Sequence, residues 1–262
     1  MDGDWAASAL KWWEEAGVDT LVDETPRNWL AGEKKAASSG LSPHPPARSA
    51  SGPLHQPGGP TPGGSFGSGL IPQGEREITL PDTLEAFQAW LLEGEVPLAT
   101  PAMPRIGPVG DPASGLMIFV DMPSTDDVAA GVLLSGEAGA LFDRMMSAIG
   151  RGRDSLYLAP LSPVRTATGS FDAVAAPRLA EVARHHIGLV SPRAVLLFGD
   201  ACAKVLLGAP VAETRGKWHE LELPQGKVST LVTIRPEKLE RSPGLKKLAW
   251  EDLKMLREGL EK

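Results

Sequence analysis

Cysteine is nearly missing from this chain of 262 residues, which contains a single one, Cys202. One cysteine excludes an intrachain disulfide and any metal cluster held by several thiolates. Adjacent residues do not share a face of a helix, so His185 and His186 are interpreted as a solvated or half-buried pair and not as a metal site. The sequence therefore predicts no metal and no cofactor.

Long apolar runs are also missing. The first residues include no apolar stretch of the kind that directs secretion, and no run elsewhere is long enough to span a bilayer. These absences predict a cytoplasmic protein that does not act at a membrane.

An excess of basic side chains is missing as well, since the formal net charge is −7. This balance argues against a strongly basic nucleic-acid binder. The acidity is uneven, because residues 1–108 hold 7 basic and 14 acidic side chains whereas residues 109–262 hold 19 of each. The second part of the chain is therefore neutral, and by charge alone it neither repels DNA nor indicates DNA binding.

Core-forming residues are scarce between positions 33 and 75, where glycine, proline and serine dominate. Such a composition buries too little apolar surface to fold, so it predicts a disordered linker. This linker separates a short N-terminal segment, residues 1–32, from a large domain, residues 76–262. A flexible chain of this length suits either a tethered docking segment or a plain spacer.

Tryptophan is concentrated in residues 1–32, which contain four of the seven tryptophans. A segment this short cannot bury them by itself. In one interpretation it folds back onto the main domain. In the other it recruits a protein partner through Trp12, Trp13 and Trp29, because tryptophan is enriched at binding hot spots.

Strand and helix patterns alternate through residues 76–262. Apolar runs predict four buried strands, at residues 116–120, 155–158, 194–198 and 228–234, with an edge strand at 218–223. Stripes at helical spacing predict helices between them. This alternation predicts an α/β domain of three layers, α/β/α, around a central, mostly parallel four-stranded sheet. We expect the domain to be a monomer.

The stretch at residues 116–149 is the centre of this pattern. Its apolar strand is followed by a loop with glycines at positions 131, 136 and 139, and then by a helix that Ser135 or Gly136 caps. In open α/β sheets, ligands bind at the carboxyl ends of the strands. The segment after residue 120 is therefore the predicted position of a site.

This part of the chain resembles the uracil-DNA glycosylase superfamily, and most closely its family 4, whose members often carry an iron–sulfur cluster. The resemblance rests on spaced blocks that agree in order, at residues 120–124, 126–127, 131–142, 157–165, 191–199 and 230–239. It implies the superfamily's fold, DNA as a partner, and hydrolysis of the bond between a base and its sugar.

The resemblance assigns two candidate catalytic residues. Asp121 stands where the family's first motif has the acidic residue that orients the attacking water. Arg235 stands where the last motif has a histidine that donates to the departing base. An aspartate after a strand is equally consistent with a turn or a cap. An arginine can stabilise an anion, contact a phosphate or simply lie exposed.

The resemblance also places a base pocket at Met122, Pro123, Leu134 and Pro160. Leu134 replaces the aromatic ring that stacks on the base, and a leucine lacks the flat face for stacking. Pro160 replaces the asparagine that reads uracil, and proline offers neither a side-chain polar group nor a backbone N–H. A site built on paired hydrogen bonds loses discrimination when its reader is removed.

The remaining family positions concern the DNA backbone and the cluster. Arg165, Lys238 and Arg241 are candidate contacts to phosphates. The two later cluster cysteines correspond to Val164 and Leu179, which are expected to fill the space by apolar packing.

Three functions remain open at this stage. The first is a divergent glycosylase-like protein with reduced or lost base excision, which serves DNA repair or replication as a DNA- or protein-binding module. The second is an active DNA glycosylase that uses Asp121 and Arg235 on uracil or another base. The third is an adaptor that recruits a partner through the tryptophan-rich segment.

Overall fold

Buried apolar strands form the centre of the domain. The computed structural model describes residues 79–261, so the predictions for residues 1–32 and 33–75 lie outside the described residues. The strands are β1 (Val109–Gly110), β2 (Leu116–Val120), β3 (Tyr157–Pro160), β4 (Ala194–Phe198), β5 (His219–Leu223) and β6 (Gly226–Thr233). They form one sheet in the order β1-β3-β2-β4-β6-β5.

The four central strands are parallel, and they correspond to the four predicted from apolar runs. Strand β2 pairs in parallel with β3 on one side and with β4 on the other, and β4 pairs in parallel with β6. Every residue of β2, β3 and β4 is buried, as expected for strands covered on both faces. The predicted α/β class with its parallel centre is confirmed.

The sheet has six strands where the sequence predicted a four-stranded centre. Strand β5 pairs antiparallel with β6 at one edge, as the predicted edge strand. Strand β1 pairs antiparallel with β3 at the other edge and has only two residues, too few to show an alternating pattern. The second predicted strand, residues 155–158, corresponds to β3 and begins later, at Tyr157, because Arg153–Ser155 forms a 3₁₀ turn.

Helices connect the strands. They are α1 (Leu84–Glu93), α2 (Thr125–Ala130), α3 (Gly136–Ser147), α4 (Ala176–Val190), α5 (Asp200–Leu207), α6 (Val211–Thr214), α7 (Pro236–Arg241) and α8 (Lys246–Leu260). The chain crosses from β2 to β3 in one direction, and from β3 to β4 and β6 in the other. Right-handed crossovers therefore place α3 on one face of the sheet and α4 with α5 on the opposite face.

The packing agrees with these two helical layers. Helix α3 packs against α7, whereas α4 packs against α1 and α5. Within the described part of the chain, no helix combines the length and apolarity that crossing a membrane requires.

Helix α2 was not predicted, because the breaks and glycines after residue 120 are typical of a loop. Ser124 and Asp127 form a capping box at its start: the Ser124 hydroxyl accepts from the Asp127 backbone N–H, and the Asp127 carboxylate accepts from the Ser124 N–H. Asp127 also accepts from the Ser135 N–H at 2.7 Å, so the same carboxylate fixes the entry to α3.

Helix α8 is tied to the sheet by a buried carboxylate. Asp252 is fully buried and accepts hydrogen bonds from the Thr233 hydroxyl at 2.8 Å and from the Arg215 guanidinium at 3.0 Å. Burial raises the pKa of Asp252, and its two partners oppose that shift. A buried charge of this kind is tolerated because it is paired and hydrogen-bonded.

The prediction for the histidine pair is wrong for His186, which is only 2% exposed. Gln88 donates to the Tyr157 hydroxyl at 2.8 Å, and that hydroxyl lies 3.0 Å from His186 Nε2. The imidazole also contacts the Phe87 ring, with 4.7 Å between centroids. Burial, with a smaller contribution from His185, lowers the pKa of His186 to about 3.

His186 is expected to make the domain sensitive to acid. Its pKa is about 3 when folded and about 6.5 when unfolded, so the unfolded chain takes up the proton first. The contribution of His186 to the free energy of unfolding is complete above pH 6.5. It falls by roughly 1.4 kcal/mol per pH unit as the pH drops from 6.5 towards 3. His186→Gln keeps a hydrogen-bonding side chain but does not titrate. Denaturant unfolding between pH 4 and 7 should show a shallower acid loss in this variant; parallel pH profiles would contradict the assignment.

Candidate functional site

A cavity of about 710 Å³ opens at the carboxyl ends of three parallel strands. Asp121 follows β2, Gly199 follows β4, and Ile234 with Arg235 follows β6; all four residues line the cavity. This is the edge of an open α/β sheet at which ligands bind. Its volume lies within the usual range for small-molecule and cofactor sites.

Asp121 lies at the inner end of the cavity and is 8% exposed. Its Oδ1 atom accepts from the Cys202 backbone N–H at 3.0 Å, and its Oδ2 atom accepts from Arg235 at 3.1 Å. Burial raises the pKa of this carboxyl, while the Cys202 N–H and the Arg235 guanidinium act in the opposite direction. The carboxylate therefore joins the ends of three strands.

The contact with Cys202 takes the place of a helix cap. Cys202 is in the first turn of α5, whose N-cap residue, Gly199, has no side chain to accept from the unpaired N–H groups. Asp121 supplies that acceptor from a neighbouring strand. The interpretation of Asp121 as a capping aspartate is therefore consistent with the geometry, although the helix it caps is 81 residues away in sequence.

The Arg235 side chain extends through the cavity from the solvent to the Asp121 carboxylate. It is the N-cap residue of α7, and its side chain is 42% exposed. Besides its ion pair with Asp121, its Nε atom lies 3.8 Å from Glu237 Oε2, a buried atom without a hydrogen bond. The structure thus brings together the two residues that the resemblance assigned to catalysis, and it pairs them with each other.

The two walls of the cavity differ in character. On one side, Phe171 and Ala176 come from the segment around the start of α4, and Val205 and Val211 extend the apolar surface. On the other side, Lys238 and Arg241 lie three residues apart on α7, which places them on the same face of that helix.

Of the lining residues that sequence reasoning missed, two have side chains suited to binding a ligand. Phe171 is the single aromatic residue that lines it, and Lys204 lies at its edge on α5. The signal for Lys204 is its position one turn into the helix that follows β4. No local signal marks Phe171, which stands in an irregular segment after β3.

Of the four residues predicted for the base pocket, Met122 lines this cavity, and the other three do not. Pro123, Leu134 and Pro160 are buried. Leu134 adopts a left-handed conformation, with φ of +53°, and its carbonyl accepts from the Arg153 guanidinium at 2.6 Å. Pro160 is the last residue of β3 and pairs with Val120.

The residues predicted to contact the DNA backbone lie in two separate places. Lys238 and Arg241 are exposed beside the main cavity. Arg165 is exposed beside a second, smaller cleft of about 290 Å³, and it donates to the Pro123 carbonyl at 3.2 Å. Among residues 79–261, no group of three or more histidine, cysteine or carboxylate side chains could hold a metal ion.

A comparison with protein families identifies a match over residues 108–254, to the model described as Uracil DNA glycosylase superfamily. The matched segment covers more than half of the chain. It runs from β1 into α8 and contains every residue that lines the main cavity.

Gly199 is expected to be essential to this site. Its φ of +96° and ψ of 168° lie in a region that is nearly restricted to glycine, and an added Cβ would approach Asp121 Oδ2 to 2.8 Å. Gly199→Ala should lower the free energy of unfolding by roughly 3 kcal/mol. Gly208→Ala at the other end of α5 is the matched control, since its φ is +78° and a Cβ meets nothing within 4 Å. The control should cost about 1–2 kcal/mol. Equal losses in denaturant unfolding would show that the carboxylate contact does not constrain Gly199.

Proposed function

Because this chain belongs to the uracil DNA glycosylase superfamily, we propose that it is a DNA-binding member whose base-excision activity is reduced or lost. The observation that carries the proposal is the state of the Asp121 carboxylate. Both of its oxygens accept hydrogen bonds from the protein, and one of the donors is a guanidinium.

Hydrolysis of a base–sugar bond requires an oriented water and stabilisation of the departing base. A carboxylate that orients water must present a free lone pair to that water. The Asp121 side chain is only 9% exposed, and Arg235 covers its Oδ2 atom. The Arg235 guanidinium acts to lower the pKa of this carboxyl, although burial has the larger effect and raises it.

The base-reading groups of the family are also replaced. Leu134 and Pro160 are buried and do not line the cavity, so neither contacts a base held there. The chain has one asparagine, Asn28, which precedes the matched segment. An asparagine amide that reads uracil therefore has no equivalent in residues 108–254.

Within the superfamily, we place the chain near family 4, in a form without the cluster. Val164 and Leu179 stand at two cysteine positions of the family, and both side chains are fully buried. Cys202 is buried in α5 and is the single cysteine of the chain. These residues do not fit an iron–sulfur cluster, which needs several thiolates.

One observation favours a second candidate, an active glycosylase with altered base specificity. The Arg235 side chain is 42% exposed in the cavity and keeps guanidinium N–H groups that Asp121 does not use. A permanent cation at this position can stabilise an anionic leaving base.

The proposal predicts that the protein binds DNA but releases little uracil. Single- and double-stranded oligonucleotides with one uracil should be cleaved no faster by the wild type than by Asp121→Ala, after alkaline treatment of the abasic product. DNA binding is measured on the same samples by fluorescence anisotropy. Efficient uracil release that disappears in Asp121→Ala would overturn the loss of activity, and absence of any DNA binding would overturn the whole proposal.

Arg235 separates the two candidates. If the protein is an active glycosylase for another base, Arg235→Ala should lower the rate of base release by about 10²–10³, which is the typical cost of removing one anion-stabilising donor. The screen uses oligonucleotides with deaminated and alkylated bases. Lys247→Gln, an exposed change on α8 away from the cavity, serves as the control. Release that survives Arg235→Ala unchanged excludes this role for the arginine.

A further inference from the structure

We propose that the main cavity holds an unpaired nucleotide without reading which base it carries. The base lies against the Phe171 ring, and the flanking phosphates lie against Lys204, Lys238 and Arg241. This inference rests on the proposed DNA binding and names the form of DNA and the residues that hold it.

The apolar wall suits the face of a base. Phe171 is half-buried and packs against the core, so its ring is held in place at the cavity wall. Ala176, Val205 and Val211 also line the cavity. Stacking on an aromatic ring tolerates every base, because each base has a π face.

The basic rim suits phosphates. The side chains of Lys204, Lys238 and Arg241 are exposed, and none of them makes a hydrogen bond or salt bridge within residues 79–261. Lys204 comes from α5, whereas Lys238 and Arg241 come from α7, so the three cations lie on two sides of the opening. Side chains of this kind position a nucleic acid through its backbone and carry no sequence information.

The four acidic residues of the cavity each have a hydrogen-bond or ion-pair partner within the described part of the protein, whereas the side chains of the three rim cations do not. Asp121 is paired with Arg235, Asp172 accepts from the Ala175 N–H, and Asp200 accepts from the Val211 N–H. The Glu237 Oε2 atom is buried beside Arg235.

No side-chain amide lines the cavity to read a base edge. The lining includes no asparagine and no glutamine, and its one hydroxyl, that of Ser170, donates to Thr168 at 3.1 Å. A site that discriminates bases needs fixed donors and acceptors matched to the base edge. The cavity instead combines a flat apolar contact with mobile cations, a combination typical of sequence-tolerant binding to single strands.

The test measures binding of fluorescein-labelled single strands of one length by anisotropy over a range of salt concentrations. The strands are poly-dT, poly-dA, poly-dC, a uracil-containing strand and an abasic strand with the same backbone. The wild type should bind the four base-containing strands with affinities within a few-fold of each other, and the abasic strand more weakly.

Variants divide the contribution of the base from that of the phosphates. Phe171→Leu should weaken binding of the base-containing strands by roughly ten-fold or more and leave the abasic strand unchanged. Phe171→Tyr keeps the ring and should retain wild-type affinity, which guards against a mere folding defect. Lys238→Gln with Arg241→Gln should weaken all strands and reduce the salt slope by about one per residue removed. Lys247→Gln is the matched control on α8.

The outcomes distinguish the inference from the proposed function. If the wild type binds no DNA, the proposed function itself fails. If it binds DNA but Phe171→Leu binds every strand as tightly, or if duplex is preferred to single strands, only this inference fails. A preference of more than ten-fold for the uracil strand would show that the base is read, and would also overturn it.

Discussion

A single buried carboxylate organises the functional edge of this domain. Asp121 follows β2, accepts from the first turn of the helix after β4, and pairs with the arginine that follows β6. Parallel strands have no hairpins to fix their ends relative to each other, since they are joined by long crossovers. The hydrogen bonds of Asp121 supply such a connection across three strand ends.

The same interaction limits the chemistry of the site. Burying a carboxylate is unfavourable unless it is hydrogen-bonded and paired, and the pairs that make Asp121 tolerable also occupy its oxygens. Gly199 is part of this arrangement, because a side chain there would collide with the carboxylate. Asp121 is therefore a structural junction in this chain, whatever else it does.

Much of the fold could be predicted from the sequence, because its strong signals are local. The strands at residues 116–120 and 194–198 were predicted with their observed bounds, since five consecutive buried apolar residues are unmistakable. Helices α2 and α7, six residues each, were missed because they are shorter than two turns and show no period. Strand β1 was missed for the same reason.

The site could be predicted only in part. Asp121 and Arg235 were identified from their motifs, but their pairing spans 114 residues and has no local signature. The aromatic residue that lines the cavity is not at the aligned position, Leu134, but at Phe171, in a segment whose path depends on tertiary packing. Motif spacing locates a strand end, whereas it does not tell which neighbouring loop covers that end.

The hydrogen bonds that join Asp252 to Thr233 and Arg215 have a consequence for how the domain folds during synthesis. Thr233 and Arg215 are synthesised before Asp252, so the carboxylate that accepts from both of them is the last of the three groups to be made. Until α8 emerges, the helix that packs on β6 is missing and the apolar side chains of that strand lack their cover. The nascent domain therefore cannot complete its core until α8 has been synthesised, and chaperones can bind the exposed apolar side chains of β6 in the interval before that.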